Sequence, residues 1–222
     1  YNVYMGWYAG KVEDCGAWMD SLHKENSDMC MGISEYGADT NVQYHSDAPK
    51  RQDYTEEYQS YYHEKMLQAI QERPYLWCSF VWNMFDFAAD ARDQGGEPGM
   101  NHKGLMTFDR KVKKDSFYIY KAYWSKEPFV HLCGSRYVDR TEAVTKVKVY
   151  SNQTKVALYA NGKLLEEKTG NKVFEFRVPL NGEVRLEAVS GQAKDTSTIR
   201  RVSQPNPDYK LKKSKGKSQN WV

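Results

Sequence analysis

The hydrophobic pattern changes period once along the chain. Up to about Pro128, short apolar runs alternate with stretches of helical spacing. Beyond it, apolar and polar residues alternate at every second position. In the first part, "YNVYMGWY" predicts a short aromatic strand ending near Gly6, and Val12 to Lys24 set Trp18, Met19 and Leu22 at helical spacing. "MGIS" predicts a second strand. From Asp53 to Arg73, Tyr54, Tyr58, Tyr61, Tyr62, Met66, Leu67 and Ile70 follow a helical period. Thr55, Glu56 and Glu57 favour a helix start, because acids stabilise the positive end of the helix dipole, and Pro74 stops the helix. "YLWCSFVWNMFDF" predicts a strand covered on both faces. A last amphipathic stretch runs from Asp115 to about Trp124.

Strands and helices in that rhythm predict parallel βαβ units, too few to close an eight-stranded barrel. In the second part, "TKVKVYS", "KVALYANG", "KVFEFRVPL" and "GEVRLEAVSG" predict an antiparallel β-sandwich, with Asn161-Gly162 and Asn181-Gly182 as hairpin or tight turns. The fold class is therefore α/β followed by all-β. The expected domains are residues 1–127, residues 128–203, and a basic tail or linker at 204–222 with "KLKKSKGKSQNW".

Composition narrows the function classes. A net charge of +3 gives no electrostatic footprint for nucleic acid. No apolar run approaches the roughly 20 residues of a membrane span. The chain opens on Tyr1 rather than Met and reads as a piece of something longer. Cys15, Cys30, Cys78 and Cys133 form no C-x-x-C pair and match no zinc spacing. They are expected to be buried free thiols, with no metal and no certain cofactor. The compartment stays open, with the cytoplasm favoured. Aromatics reach 14%, including 17 Tyr and 6 Trp, residues that bury area and stack on sugar faces.

In parallel α/β folds, chemistry sits at the C-terminal strand ends. The first predicted strand delivers Tyr4, Trp7 and Tyr8, the second Glu35, the third Trp82, Asn83 and Asp86. A carboxylate among aromatic rings suits sugar cleavage: rings stack on the pyranose while the carboxylate attacks or stabilises the anomeric carbon. The competing role for Glu35 is to cap the next helix or pair with a lysine.

"NVYMGWY", "GISEYGAD" and "LWCSFVWNMFDFAADARDQGGEPGMNHKGLMTFDRKVKKDSFYIYKAYW" resemble glycoside hydrolase family two, most closely its bacterial β-galactosidases, with β-glucuronidases sharing much of the pattern. The resemblance runs from residue 1 to about Pro128, and the later part is similar to the family's immunoglobulin-like domain. It implies the last strands and helices of a (β/α)8 TIM barrel followed by an immunoglobulin-like β-sandwich. It implies that Glu35 is the nucleophile, that Tyr4 positions it, and that Trp82 is an aromatic platform. Asn101 and Lys103, in "NHKG", would reach the glycone; in glucuronidases that pair is associated with the sugar's carboxylate. A surface loop cation is the alternative for Lys103. Tyr8 joins the sugar-binding set, and His45, in "QYHSD", is either a subsite contact or a satisfied loop histidine. Trp7, Tyr8, Phe85 and Phe87 have core packing as their alternative, and Asp86 either supports the site or pairs with an arginine.

The family's acid/base is a Glu directly after an Asn, and no Asn-Glu dipeptide occurs here. The resemblance therefore implies part of a retaining β-glycosidase acting on terminal β-galactosides. The chain would carry the nucleophile, lack the acid, be inactive alone, and need the missing N-terminal portion as partner. A homo-oligomer stays open. The alternatives are a β-glucuronidase or other β-glycosidase of the family, a non-catalytic carbohydrate-binding module, and a structural role for the sandwich.

Overall fold

The computed structural model describes residues 1–211; Lys212–Val222, which hold most of the predicted basic tail, lie outside the described residues. The chain divides into two compact units. The first comprises Tyr1–Asn41 and Pro49–Ser116, the second Val42–Ala48 and Phe117–Lys210. The division thus falls inside the last helix rather than at residue 127, and a short early loop belongs to the second unit. No helix among the described residues is long and apolar enough to cross a membrane.

In the first unit, a 3-10 turn leads into α1 (Cys15–Glu25), followed by β1 (Met31–Tyr36), α2 (Glu56–Gln71) and β2 (Leu76–Val81). Helix α2 starts where Thr55 Oγ1 accepts from Tyr58 N at 3.2 Å, with Glu56 and Glu57 in its first turn. Its Tyr58, Tyr62, Met66 and Leu67 face the core, which also takes Trp7, Met19, Ile33 and Tyr36. β1 and β2 pair in parallel, with Met31 opposite Leu76 and Tyr36 opposite Val81. Asn2 forms a parallel bridge with Glu35 on the other edge of β1. The expected first strand is no more than isolated bridges at Asn2 and Met5. The chain turns there, because Trp7 N and Tyr8 N both donate to Tyr4 O and Gly6 takes a φ of +87°. β2 is not covered on both faces: Trp77 and Phe80 are exposed. Past β2 the chain runs beside residues 103–106, with Asn83 N donating to Lys103 O and Leu105 N to Asn83 O, each at 3.0 Å. β3 (Phe87–Ala88) and β4 (Met100–Asn101) make a small antiparallel pair.

Helix α3 (Asp115–Trp124) leads into the second unit, which is mostly strand. Its strands are β5 (Val130–Leu132), β6 (Asp139–Arg140), β7 (Val144–Ser151), β8 (Lys155–Ala160), β9 (Lys163–Thr169), β10 (Lys172–Pro179), β11 (Glu183–Ser190) and β12 (Ala193–Arg201). They form one sheet in the order β10-β7-β5 and another in the order β6-β12-β11-β8-β9. All pairings are antiparallel except β6 with β12. Val147, Val149, Phe174, Phe176 and Val178 of the first sheet and Val156, Leu158, Leu186 and Ile199 of the second share one apolar cluster, as in a β-sandwich. Asn161-Gly162 is a hairpin turn, with φ of 51° and 77°, both left-handed. Asn181-Gly182 is the tight turn rather than a hairpin: it joins β10, ending at Pro179, to β11, starting at Glu183, in different sheets.

Part of the expected linker is also ordered. Pro207–Tyr209 form a 3-10 turn, and Tyr209 Oη accepts from Val138 N at 3.1 Å and Asp139 N at 3.2 Å. Of the four free cysteines, Cys15 and Cys133 are buried, whereas Cys78 is half-buried and Cys30 exposed.

Candidate active site

Glu35 stands next to last in β1, half-buried, at the strand's C-terminal end. Its backbone is held by Val3 N, which donates to Glu35 O at 2.7 Å. That bond brings the first loop alongside, and Tyr4 Oη donates to Glu35 Oε2 at 2.8 Å. Burial, and then the Glu35 hydrogen bond, push the Tyr4 hydroxyl well above its ordinary pKa. Tyr4 is therefore a protonated donor at neutral pH and keeps one carboxylate oxygen fixed.

Tyr8 follows in the same turn, its ring 5.3 Å from that of Tyr4. Its hydroxyl accepts from Lys103 Nζ at 2.7 Å. Lys103 is almost wholly buried, so it is not a surface loop cation. Its ammonium lies 4.8 Å from the Tyr8 ring centre and 5.5 Å from that of Tyr4, within cation–π range. Asn101 is buried beside it, and Asn101 Oδ1 accepts from Lys103 N at 2.9 Å.

Asp39, unassigned from sequence, fixes this cation. Lys103 Nζ lies 2.6 Å from Asp39 Oδ2. Asp39 Oδ1 accepts from Arg92 Nη2 at 3.1 Å and from His102 N at 3.0 Å. Burial alone would raise the Asp39 carboxyl; Lys103 and then Arg92 outweigh it and hold it below its usual value. One carboxylate thus faces two cations. Asp86 does not pair with an arginine; its partner is the buried Lys114, at 2.7 Å. Burial draws the Lys114 ammonium below its ordinary pKa, with Asp86 opposing.

Trp82 is half-buried, with its ring edge-on to Phe87 at 5.7 Å, and the peptide to Asn83 is cis. Its N donates to Tyr36 O at 2.8 Å, which seats it next to the strand end bearing Glu35. The structure therefore brings Tyr4, Tyr8, Glu35 and Lys103 into one contact chain, with Asn101 and Trp82 flanking it. Trp7 is fully buried and packs edge-on to Tyr54, a core role. His45 is not brought into this group. It lies in the second unit, buried, stacked on Tyr137 at 5.5 Å and edge-on to Tyr209 at 5.0 Å. Its packing fits the reading as a satisfied loop histidine.

No family model matches the chain. A β-glucuronidase of Bacteroides fragilis is 40% identical over 168 residues, covering 73% of this chain and 24% of that protein. Among solved structures, an FMN-binding β-glucuronidase from Facaelibacterium prausnitzii L2-6 superposes with a TM-score of 0.94 at 51% identity, covering 96% of this chain and 33% of that one. A proposed β-galactosidase from Bacteroides fragilis superposes with a TM-score of 0.85 at 36% identity, covering 92% of this chain and 33% of that one. The chain thus spans about a quarter to a third of the length of the relatives it matches. These relatives are glycoside hydrolases by name, β-glucuronidases with a β-galactosidase-like protein among them, consistent with the resemblance to glycoside hydrolase family two.

Proposed function

We propose that this chain supplies the nucleophile and the glycone-binding loops of a retaining β-glycosidase, within the last part of a TIM barrel, and that the glycone is β-linked glucuronic acid. The observation that carries the glycosidase reading is the Tyr4 Oη to Glu35 Oε2 hydrogen bond of 2.8 Å at the end of a parallel strand. Tyr4 holds one oxygen, and the other attacks the anomeric carbon. The glycosidic bond breaks as an acid carboxyl protonates the leaving oxygen. Water then releases the sugar from the Glu35 ester. The acid is proposed to come from sequence outside this chain, which contains no Asn-Glu dipeptide, so the chain alone is expected to be inactive.

The donors of Lys103 favour glucuronate over galactose. An ammonium has three N–H donors; Lys103 directs two at Asp39 Oδ2 and Tyr8 Oη, and the third is proposed to meet the substrate carboxylate. The names of the most similar relatives point the same way. β-Galactoside cleavage is the second reading, favoured by the likeness to the Bacteroides fragilis β-galactosidase-like structure.

The test compares nitrophenyl β-glucuronide with nitrophenyl β-galactoside in the full-length protein. Glucuronide is expected to be the better substrate. Lys103→Met should lower kcat/KM for it by about 10- to 100-fold, the worth of a charge-assisted hydrogen bond, and change the galactoside rate by a few-fold at most. Equal losses on both substrates, or a galactoside preference in the parent, would overturn the glucuronide assignment.

A further inference from the structure

Three loops build the candidate site: residues 37–41 after Glu35, residues 82–86 after β2, and residues 101–104. One buried ammonium joins all three. Lys114 Nζ donates to Thr40 O at 2.9 Å, to Asp86 Oδ1 at 2.7 Å and to His102 O at 3.1 Å. An ammonium has three N–H donors, and Lys114 directs each to a different loop. Asp86 Oδ1 also accepts from Gly104 N at 2.9 Å, so the third loop is tied a second time. The backbones are in close contact there, because a Cβ on Gly104 would come within 2.1 Å of Asp86 N.

Lys114 has no exposed surface, and Asp86 is nearly as buried. Removing such a pair from water is costly, and an apolar pair of similar volume would fill the space as well. Well-packed apolar side chains could not, however, hold the Thr40 and His102 carbonyls and the Gly104 amide in fixed register with the loop that bears Asp86. Lys114 meets the loops of Glu35 and Lys103 through Thr40 O and His102 O.

We propose that Lys114 is a positioning residue for the glycosidase site. It sets the spacing between the Glu35 loop, the Trp82 loop and the Asn101–Lys103 loop, so that a glycone gripped by Lys103 lies in line with the Glu35 carboxylate. The proposal rests on the β-glycosidase reading above.

The test uses the full-length protein and whichever nitrophenyl β-glycoside the parent cleaves, glucuronide or galactoside. A parent that cleaves neither overturns the glycosidase reading and the positioning role with it. In an active parent, Lys114→Met combined with Asp86→Leu removes both charges at similar volume. The thermal midpoint should stay within a few degrees of the parent, while kcat/KM falls by about 30-fold or more. In a glucuronide-cleaving parent, where Lys103→Met alone costs about 10- to 100-fold, adding it to the double variant should cost less than about threefold further, because the loop bearing Lys103 has already lost its register. A folded double variant within threefold of the parent, or a Lys103→Met loss that multiplies in full, overturns the positioning role. Where the double substitution prevents folding, Asp86→Asn decides, because it keeps an acceptor for Lys114 and Gly104 but loses the charge. A several-fold rise in KM at an unchanged thermal midpoint supports the role, and an unchanged KM overturns it.

Discussion

Glu35→Gln in the full-length protein is expected to lower kcat by on the order of 10⁴-fold or more, while a competitive sugar inhibitor still binds within about tenfold of the parent. Glutamine keeps the shape of the side chain and an oxygen that can accept from Tyr4 Oη, now 2.8 Å from Glu35 Oε2. It cannot attack as an anion, so the covalent step is lost and the pocket is not. Steady-state turnover with a nitrophenyl β-glycoside and an inhibitor titration separate the two effects. Turnover within tenfold of the parent would remove Glu35 from the nucleophile role.

Gly37→Ala should be a severely damaging small substitution in the first unit. A Cβ at this position would lie 2.0 Å from Trp82 O and 3.1 Å from Trp82 C, both backbone atoms. Neither side can yield easily, because Trp82 N is already bonded to Tyr36 O at 2.8 Å, one residue before the glycine. The loss of stability should reach at least about 3 kcal/mol, the upper range for overpacking. Any protein that folds should have Glu35 and Trp82 moved apart and much of its activity lost. Thermal denaturation checks this: a midpoint within two degrees of the parent would show that the strands are not in backbone contact here. The same contact explains why a carboxylate-bearing strand ends in glycine at "SEYGAD". The chain after Glu35 has to pass directly under the Trp82 carbonyl, where no side chain fits.

Much of this was legible in the sequence, through two different signals. Periodicity marks α2 and the strands β7, β8, β10 and β11, because each buries one regular face. It misses β9, an edge strand whose Lys163, Leu164, Glu166 and Glu167 are exposed. It also leaves hairpin and tight turn open at Asn181-Gly182, since turn residues say nothing about which sheet the next strand joins. The pairing of Tyr4 with Glu35 follows from their order along the resemblance, and the bond between them is observed.

Charged residues were the harder part. Lys114 sits in "KVKKD", a run that looks solvated, yet it is fully buried, whereas Lys111 in the same run is exposed. Only its three acceptors, brought together from distant loops, distinguish it. Asp39 was in plain view four residues after Glu35, but its partners Arg92 and Lys103 lie more than fifty positions away in the chain. His45 follows the Glu35 strand closely in sequence, yet it packs with Tyr137 and Tyr209, both of the second unit and far along the chain.

A nucleophilic Glu35 becomes covalently glycosylated during turnover. Treating the full-length protein with a 2-deoxy-2-fluoro-β-glycosyl fluoride, in glucuronyl and galactosyl forms, traps the ester of a retaining enzyme because the fluorine slows its hydrolysis. Peptide mass spectrometry should then place one sugar on Glu35 in the "GISEYGAD" peptide, with the glucuronyl form labelling faster. A label on a different carboxylate, or a protein that stays unlabelled while still turning over nitrophenyl β-glycosides, would contradict it.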